Sequence, residues 1–260
     1  MTQDANALAA IVLAAGKGRR MKSPLAKVLH TLAGRPLIHH AVEAARRAGA
    51  APIAVVVGHQ AGAVREAFAG DEADLSFPVQ AEQLGTGHAA SVGLGALEGM
   101  SGDVLVLCGD VPLLRDETLE ALIRRHRESE AAVTVLTALV EAPSGYGRVL
   151  REGGPGGRVA AIVEETDATG AQRAVREINS GTYIFDLAFL AGALPRIRAE
   201  NRQGEYYLPD AVSMAVAEKK GAEALPAGHP EEALGVNEPG DLARAEAILA
   251  ARDGASSQAR

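Results

Sequence analysis

Three nearly continuous apolar runs of strand length, 8–14 (LAAIVLA), 52–58 (PIAVVVG) and 103–109 (DVLVLCG), constrain the fold of this chain more than any other feature. A strand with one wet face alternates apolar and polar residues. Runs without alternation belong to strands covered on both faces, as in a parallel sheet. Helical patterns separate them. Residues 36–48 place Leu37, Ile38, Ala41, Val42, Ala45 and Ala48 on one stripe that Gly49 ends, and 86–98 and 116–128 are further candidates. Strand and helix thus alternate through the first 130 residues, which predicts an α/β, doubly wound, mostly parallel sheet with right-handed crossovers.

Beyond residue 130 the rhythm changes to strand-like pieces at 132–140, 146–151, 158–164 and 177–186, with turns such as GGPGG at 153–157. This pattern predicts an antiparallel elaboration. Helical patterns resume at 187–199, 209–219 and 239–252, the last opening on Pro239. We expect a single domain over 1–253, made of halves at about 1–130 and 131–237 and a C-terminal helix at 238–253, with 254–260 a flexible tail. No repeat of solenoid period occurs.

Composition narrows the partners. Hydrophobic residues at 47% suffice for a sizeable core, while aromatics at 3% without Trp argue against a base-stacking nucleic-acid surface. The chain carries −7 overall, yet residues 5–42 hold Lys17, Arg19, Arg20, Lys22, Lys27 and Arg35 and no acidic residue. One concentrated cationic segment on an acidic protein suits a small anionic ligand better than a long polyanion; a solvated basic loop is the equal alternative on charge alone. The single Cys108 fits a reducing compartment, and we expect a cytoplasmic protein. The run Leu8 to Ala15 has the length of a signal-peptide core, but Asp4 and no Lys or Arg precedes it, and no apolar stretch approaches the ~20 residues of a membrane span.

The first apolar run leads directly into Ala14-Ala15-Gly16-Lys17-Gly18-Arg19-Arg20-Met21. A glycine-rich turn at the carboxyl end of a buried strand lies where open α/β sheets bind ligands, and its glycines let backbone N–H groups approach phosphate oxygens. It lacks the G-x-x-x-x-G-K-[ST] of a P-loop, and Met21 stands where a dinucleotide fingerprint has its third glycine. A tight strand-to-loop turn is the alternative.

A wider match bears on the choice. LAAGKGRRM at 13–21 and PLAKVLHTLAGRPLIHH at 24–40 are followed in order by QAEQLGTGHA at 80–89, GDVPLL at 109–114, GYGR at 145–148, IVEETDAT at 162–169, EINSGTY at 177–183, QGEYYLPD at 203–210 and GVNEP at 235–239. This series resembles the sugar-nucleotide pyrophosphorylases, in the form found in N-acetylglucosamine-1-phosphate uridyltransferases. It runs from near residue 10 to 240. The resemblance implies a Rossmann-like nucleotidyltransferase sheet with a sugar-binding elaboration. It also implies a Mg²⁺-dependent in-line attack of N-acetylglucosamine 1-phosphate on the α-phosphorus of UTP. Small-molecule substrates are then the partners, with no nucleic acid or membrane. The sequence does not set the oligomeric state. In two respects the chain departs from the family pattern: Pro209 replaces a Thr, and the hexapeptide-repeat acetyltransferase part does not follow, so we expect no acetyl transfer from these residues.

Site residues follow position by position. The resemblance assigns Leu13, Ala14, Ala15, Gly16, Gly18, Arg20 and Lys27 to the nucleotide, together with Gln80, Gln83, Gly85 and Thr86 at its base. An amide with peptide groups can mirror the donor between two acceptors that uracil presents. Lys27, Arg20 and Asp110 are the implied catalytic residues, with Lys27 between the α-phosphate and the incoming phosphate and Arg20 on the leaving pyrophosphate. Asp110 and Asn237 are the implied metal ligands, and one carboxylate with one amide oxygen suits a Mg²⁺ that keeps several waters. Gly147, Glu164, Asn179 and Tyr207 are assigned to the sugar pocket.

Read alone, Asn237 is as well explained as a helix cap, Lys27 as a snorkelling surface lysine and Tyr207 as core. Adjacent His39 and His40 point apart on a helix and receive no role, and Cys108 is expected to be an inert core thiol. A nucleotidyltransferase for another sugar phosphate or NTP, and a non-catalytic nucleotide-sugar sensor, are the competing functions.

Overall fold

The computed structural model describes residues 7–258. Its first half follows the apolar runs. Strand β1 (Leu8–Ala14) leads through the glycine loop to a short ribbon, β2 (Thr31–Leu32) with β3 (Arg35–Pro36). Helix α1 (Leu37–Arg47), β4 (Ile53–Val57), α2 (Ala61–Glu66), β5 (Leu75–Ser76), α3 (Thr86–Gly95), β6 (Asp103–Cys108) and α4 (Asp116–Ser129) complete it. β1 pairs in parallel on both sides, Ala10 opposite Ile53 of β4 and Ala9 opposite Val104 of β6. Side chains from both faces of β1 are therefore buried, as its unbroken apolar run requires. Ile11, Val56 and Val106 pack on one face with Ala89 and Ala90 of α3, while Val12, Val55 and Leu107 pack on the other with Val42 of α1 and Leu122 of α4. α3 lies close to the sheet because Gly93 has no side chain; a Cβ there would fall 2.6 Å from Ile11 Cγ2.

The second half enters the same sheet. β7 (Val133–Leu139), β8 (Arg148–Arg151), β9 (Val159–Val163), α5 (Gly170–Arg173), β10 (Glu177–Asp186), α6 (Leu187–Ala193), α7 (Asp210–Ala217), β11 (Ala222–Pro226) and α8 (Pro239–Gln258) follow. The strand order is β11-β7-β10-β6-β1-β4-β5, with β8 beside β10 and β9 beside β8. β10 runs antiparallel between β6 and β7, so the elaboration shares the central sheet. α6 and α7 pack on the α3 face.

Several expectations shift. The helix expected over 187–199 ends at Ala193 and gives way to a 3-10 turn, Leu194–Arg196, where Pro195 has no N–H to continue the helix. β11, parallel to β7, was not foreseen: it is a half-buried edge strand containing Glu223 and Pro226, without a continuous apolar run. The last helix runs to Gln258, through most of the expected tail; residues 259 and 260, like Asp4 and the first residues of the expected domain, lie outside the described residues. Among the described residues no helix is long and apolar enough to cross a membrane.

Candidate active site

The chain leaves β1 towards β4 on one side and β6 lies on the other, so the carboxyl ends of β1 and β6 flank the sheet's topological switch point. A cavity of 260 Å³ opens there. Leu13, Ala14, Ala15, Gly16, Lys27, Gln80, Gln83, Gly85 and Thr86 line it together with Asp110. Every residue assigned to the nucleotide is therefore at this cavity except Gly18 and Arg20. Those two, with Lys27 and Asn237, line a smaller cavity of 180 Å³. Lys27 belongs to both.

Lys27 is not a snorkelling lysine. Its side chain is 16% exposed and Asp110's is 18%, and the two form an ion pair through Lys27 Nζ and Asp110 Oδ2. Lys27 Nζ also donates to Asn237 Oδ1 at 3.1 Å, and Arg20 Nη2 donates to the same oxygen at 2.9 Å. The backbone leading to Lys27 is clamped by Gln60, whose Oε1 accepts from Ala26 N at 2.7 Å and whose Nε2 donates to Pro24 O at 2.7 Å. Gly18 has a φ of +58°, and a Cβ on it would collide with the Cβ of Lys27. The glycine loop and the lysine are thus packed against each other. Met21, standing where a third glycine was sought, is buried with Leu113, Val236 and Ala245, which fastens the loop to α8.

Asp110 lies two residues past β6, which ends at Cys108, one residue before the end of the expected strand. Its carbonyl accepts from Val236 N at 2.8 Å, drawing the 235–237 loop to it across the sequence. Asn237 does not cap α8. Asp241 does that from the first turn, its Oδ2 accepting from Asn237 N at 2.8 Å and Glu238 N at 3.0 Å, and the Asn237 amide oxygen turns to Lys27 and Arg20 instead. Oxygens of Asp110 and Asn237 therefore converge on one cationic centre, as a shared hard-cation site requires. Among the described residues no group of three or more His, Cys, Asp or Glu side chains could hold a metal.

At the other end of the cavity, Gln80 is buried, with Nε2 donating to Gly85 O at 3.1 Å and lying 3.0 Å from His88 Nδ1. Gln83 Nε2 donates to Gln80 O at 3.2 Å. The Thr86 hydroxyl accepts from Leu208 N at 3.0 Å, so it fastens the 205–208 segment to the 84–87 turn. Gly85, with a φ of +107°, permits that approach, since a Cβ there would lie 2.6 Å from Tyr206 O. Pro209 is buried at the start of α7 without any side-chain cap.

The residues assigned to the sugar meet only in part. Gly147 O accepts from Asn179 N at 2.9 Å, and a Cβ on Gly147 would lie 3.2 Å from Glu164 Oε1. Asn179 sits where the β10–β7 register shifts, its Oδ1 accepting from Gly181 N at 3.0 Å. Glu164 and Tyr207 line a separate cavity of 370 Å³ that Gly147 and Asn179 do not line. Tyr207 Oη bonds to Gln203 Oε1 at 2.6 Å, so its hydroxyl is engaged within the protein. Burial, then the carboxylates of Asp167, Asp210 and Glu205, push the Glu164 carboxyl above its ordinary range.

The sequence reading missed Glu205 and Ala89 on the cavity wall, and Gln60 and Asp241 as supports. Glu205 lies within the quoted QGEYYLPD block, and Asp241 is the acidic first-turn residue of a Pro-started helix; nothing in the sequence marks Gln60. Cys108 is a wall of the cavity, not a core thiol alone. Burial, reinforced by Asp110, raises it to about 12, which keeps the thiol protonated and unreactive. His39 Nε2 meets Ala67 O at 2.9 Å and His40 Nε2 meets Leu32 O at 3.0 Å, on divergent paths away from the site.

The MobA-like NTP transferase domain matches residues 10–199. The bifunctional protein GlmU of Geobacter metallireducens is 53% identical over 238 residues, covering 92% of this chain and 49% of the relative. That of Anaeromyxobacter dehalogenans is 52% identical over 247 residues, covering 94% and 50%. The chain spans about half the length of these relatives. A solved structure of UDP-glucose pyrophosphorylase complexed with UDP-glucose matches with a TM-score of 0.75 at 20% identity, covering 95% of this chain and 99% of that one. A putative glucose-1-phosphate thymidylyltransferase from Bacillus anthracis in complex with sucrose gives 0.73 at 19%, covering 93% and 95%. At such identities the likeness establishes the fold, a mostly parallel α/β sheet. With the glycine loop, the switch-point cavity and the matched span all on one sheet, the chain belongs to the MobA-like NTP transferase family.

Proposed function

We propose that this chain transfers the uridylyl group of UTP to N-acetylglucosamine 1-phosphate, forming UDP-N-acetylglucosamine and pyrophosphate. The observation that carries the proposal is the convergence of Arg20, Lys27, Asp110 and Asn237 where a cavity walled by the glycine loop and the 80–86 segment shares Lys27 with a smaller one lined by Arg20 and Asn237. A phosphate oxygen of the sugar substrate attacks the α-phosphorus, a new P–O bond forms, and the bond to the bridging oxygen of pyrophosphate breaks. Both substrates are anions, so charge neutralisation and in-line alignment carry most of the catalysis. Lys27 holds the α-phosphate and the incoming phosphate together, and Arg20 meets the leaving phosphates. Asp110 and Asn237 would hold Mg²⁺, which when bound neutralises charge on the triphosphate oxygens.

Base choice falls to Gln80, Gln83 and the Gly85-Thr86 backbone. Gln80 sets the turn through Gly85, while Thr86 supports it from below through Leu208. Glu164 takes sugar hydroxyls, Asn179 the acetamido group, Gly147 leaves room for the ring, and Tyr207 shapes the pocket. The resemblance of QAEQLGTGHA and EINSG to N-acetylglucosamine-1-phosphate uridyltransferases supports this choice of substrates. The single free thiol supports placing the reaction in the cytoplasm.

Pyrophosphate release should be measured for each NTP against a panel of sugar 1-phosphates. UTP with N-acetylglucosamine 1-phosphate should give the highest kcat/KM. A higher value with another pair would replace these substrates, and none with any pair would end the catalytic assignment.

A further inference from the structure

Lys27 Nζ lies on the two oxygens assigned above to the metal, Asp110 Oδ2 and Asn237 Oδ1. We propose that the Lys27 ammonium and a divalent cation exclude one another at this pair of oxygens, so that Lys27 is the resident counter-ion of the free enzyme and yields the site as it moves to the substrate phosphates. The proposal rests on the metal assignment made under the proposed function and adds to it an order of events within the site.

The geometry gives three reasons. One carboxylate and one neutral amide cannot neutralise an ammonium and a divalent ion at contact distance, and the two cations repel in a site where both Lys27 and Asp110 are more than four-fifths buried. Lys27 lines both the nucleotide cavity and the smaller one that holds Asn237, so its ammonium can exchange partners by turning its terminal bonds while its Cβ stays packed on Gly18. Among the described residues Arg20 shares Asn237 Oδ1 without a bond to Asp110, whereas Lys27 is a cation on the carboxylate. Phosphates that attract Lys27 thereby free Asp110 and Asn237. Metal and nucleotide then enter together, and the free chain holds metal weakly.

Mn²⁺ alone serves as the probe, its binding to the full chain followed by electron paramagnetic resonance without nucleotide. Lys27→Met should bind Mn²⁺ about tenfold or more tightly than the parent, because the competing charge is gone. Lys27→Gln, a second neutral side chain, should do the same if the first variant folds poorly, and Lys27→Arg should resemble the parent. Arg20→Met removes a neighbouring charge without freeing Asp110 and should tighten binding much less. Equal gains from Lys27→Met and Arg20→Met would show general repulsion and overturn the proposal, as would neutral Lys27 variants that bind no better than the parent. Asp110→Ala separates the two levels. If it leaves Mn²⁺ binding unchanged, the metal assignment itself falls and takes the proposal with it; if it abolishes binding while the Lys27 variants match the parent, only the exclusion is lost.

Discussion

At the carboxyl ends of β1 and β6 the charged side chains around Asn237 meet complementary partners: Lys27 on Asp110 and Asn237, Arg20 on Asn237, and Asp241 on two backbone N–H groups. Past the end of β9 the reverse holds. Glu164 is half-buried near Asp167, Asp210 and Glu205, and both Glu164 and Asp210 are pushed above the ordinary carboxylate range, by burial first and by neighbouring carboxylates second. Arg148 only partly opposes this, because its guanidinium pairs with Glu165 at 2.7 Å. Under the proposed function the first region is a preorganised receiver for anionic phosphates, its positive charge held in place by Asp110 and Asn237. The second holds protons more tightly, and under the proposed function it would meet a neutral sugar ring, which suits hydrogen bonding more than charge pairing. The proposed function thus assigns turnover to the first region and pH sensitivity to the second.

Asp110→Asn should have the largest effect. It leaves the turn after β6 and the Val236-to-Asp110 backbone bond able to form, but replaces the carboxylate that orders Lys27 and would ligate metal. Turnover should fall at least about 10²–10³-fold with a melting temperature close to the parent's. Parent-like kinetics would move the catalytic centre away from β6. Gly18→Ala should come next. An alanine must carry a φ of +58° and collide with the Lys27 Cβ, so a stability loss of roughly 1–2 kcal/mol should accompany a drop in turnover of up to about 10². If stability falls and turnover per folded molecule does not, the loop and Lys27 are not coupled.

What could be read from the sequence divides along the same line. The buried strands were legible because strands covered on both faces need unbroken apolar runs, and β1, β4 and β6 have them. β11 and β5 were not, being short half-buried edges whose pairing is set by the neighbouring strand. That β10 inserts between β6 and β7 is a long-range choice that no local pattern records. On the β1 side, position at a strand end and residue type pointed to the cavity, and the wider resemblance supplied Asn237. On the β9 side the motifs named Glu164 and Asn179, but not the crowd of carboxylates, which folding assembles from residues 164, 167, 205 and 210. Supports such as Gln60 act through backbone contacts that any polar residue type could suggest, so they carry no signature.

The carboxylate crowd makes a signed prediction. A carboxyl whose folded pKa lies above its unfolded value binds its proton more tightly in the folded state, so folding stability falls as pH rises from about the ordinary glutamate value of 4.5 through the raised value. Glu164→Gln should remove its share of that slope and melt higher than the parent at neutral pH. Asp210 contributes in the same direction and is coupled to Glu164, so the difference between parent and variant curves carries Glu164 together with its influence on Asp210. In kinetics, the KM for the sugar phosphate should change with pH over the acid limb in the parent and be flatter in Glu164→Gln, while the KM for UTP follows the same course in both. A pH-dependent difference confined to UTP would invert the assignment of the two regions.

The smallest expected effect tests how far preorganisation extends beyond the residues that touch substrate. Asp241 contacts neither Lys27 nor Asp110; it fixes the backbone of Asn237 and Glu238 from the first turn of α8. Asp241→Ala removes a helix cap, which typically costs about 0.5–2 kcal/mol, and releases the loop that aims the Asn237 amide oxygen at the cationic centre. A purely structural cap would lower the melting temperature and leave kcat of the folded protein unchanged. A cap that also positions a metal ligand should in addition raise the Mg²⁺ concentration needed for half-maximal rate by a few-fold, with saturating Mg²⁺ restoring most of kcat. Asp241→Asn, which keeps an accepting oxygen, should lie between the two. Magnesium titrations of the three proteins at matched folded concentration make the distinction: coincident curves would confine the preorganised region to Gly18, Arg20, Lys27, Asp110 and Asn237, whereas a graded shift would extend it into the first turn of α8.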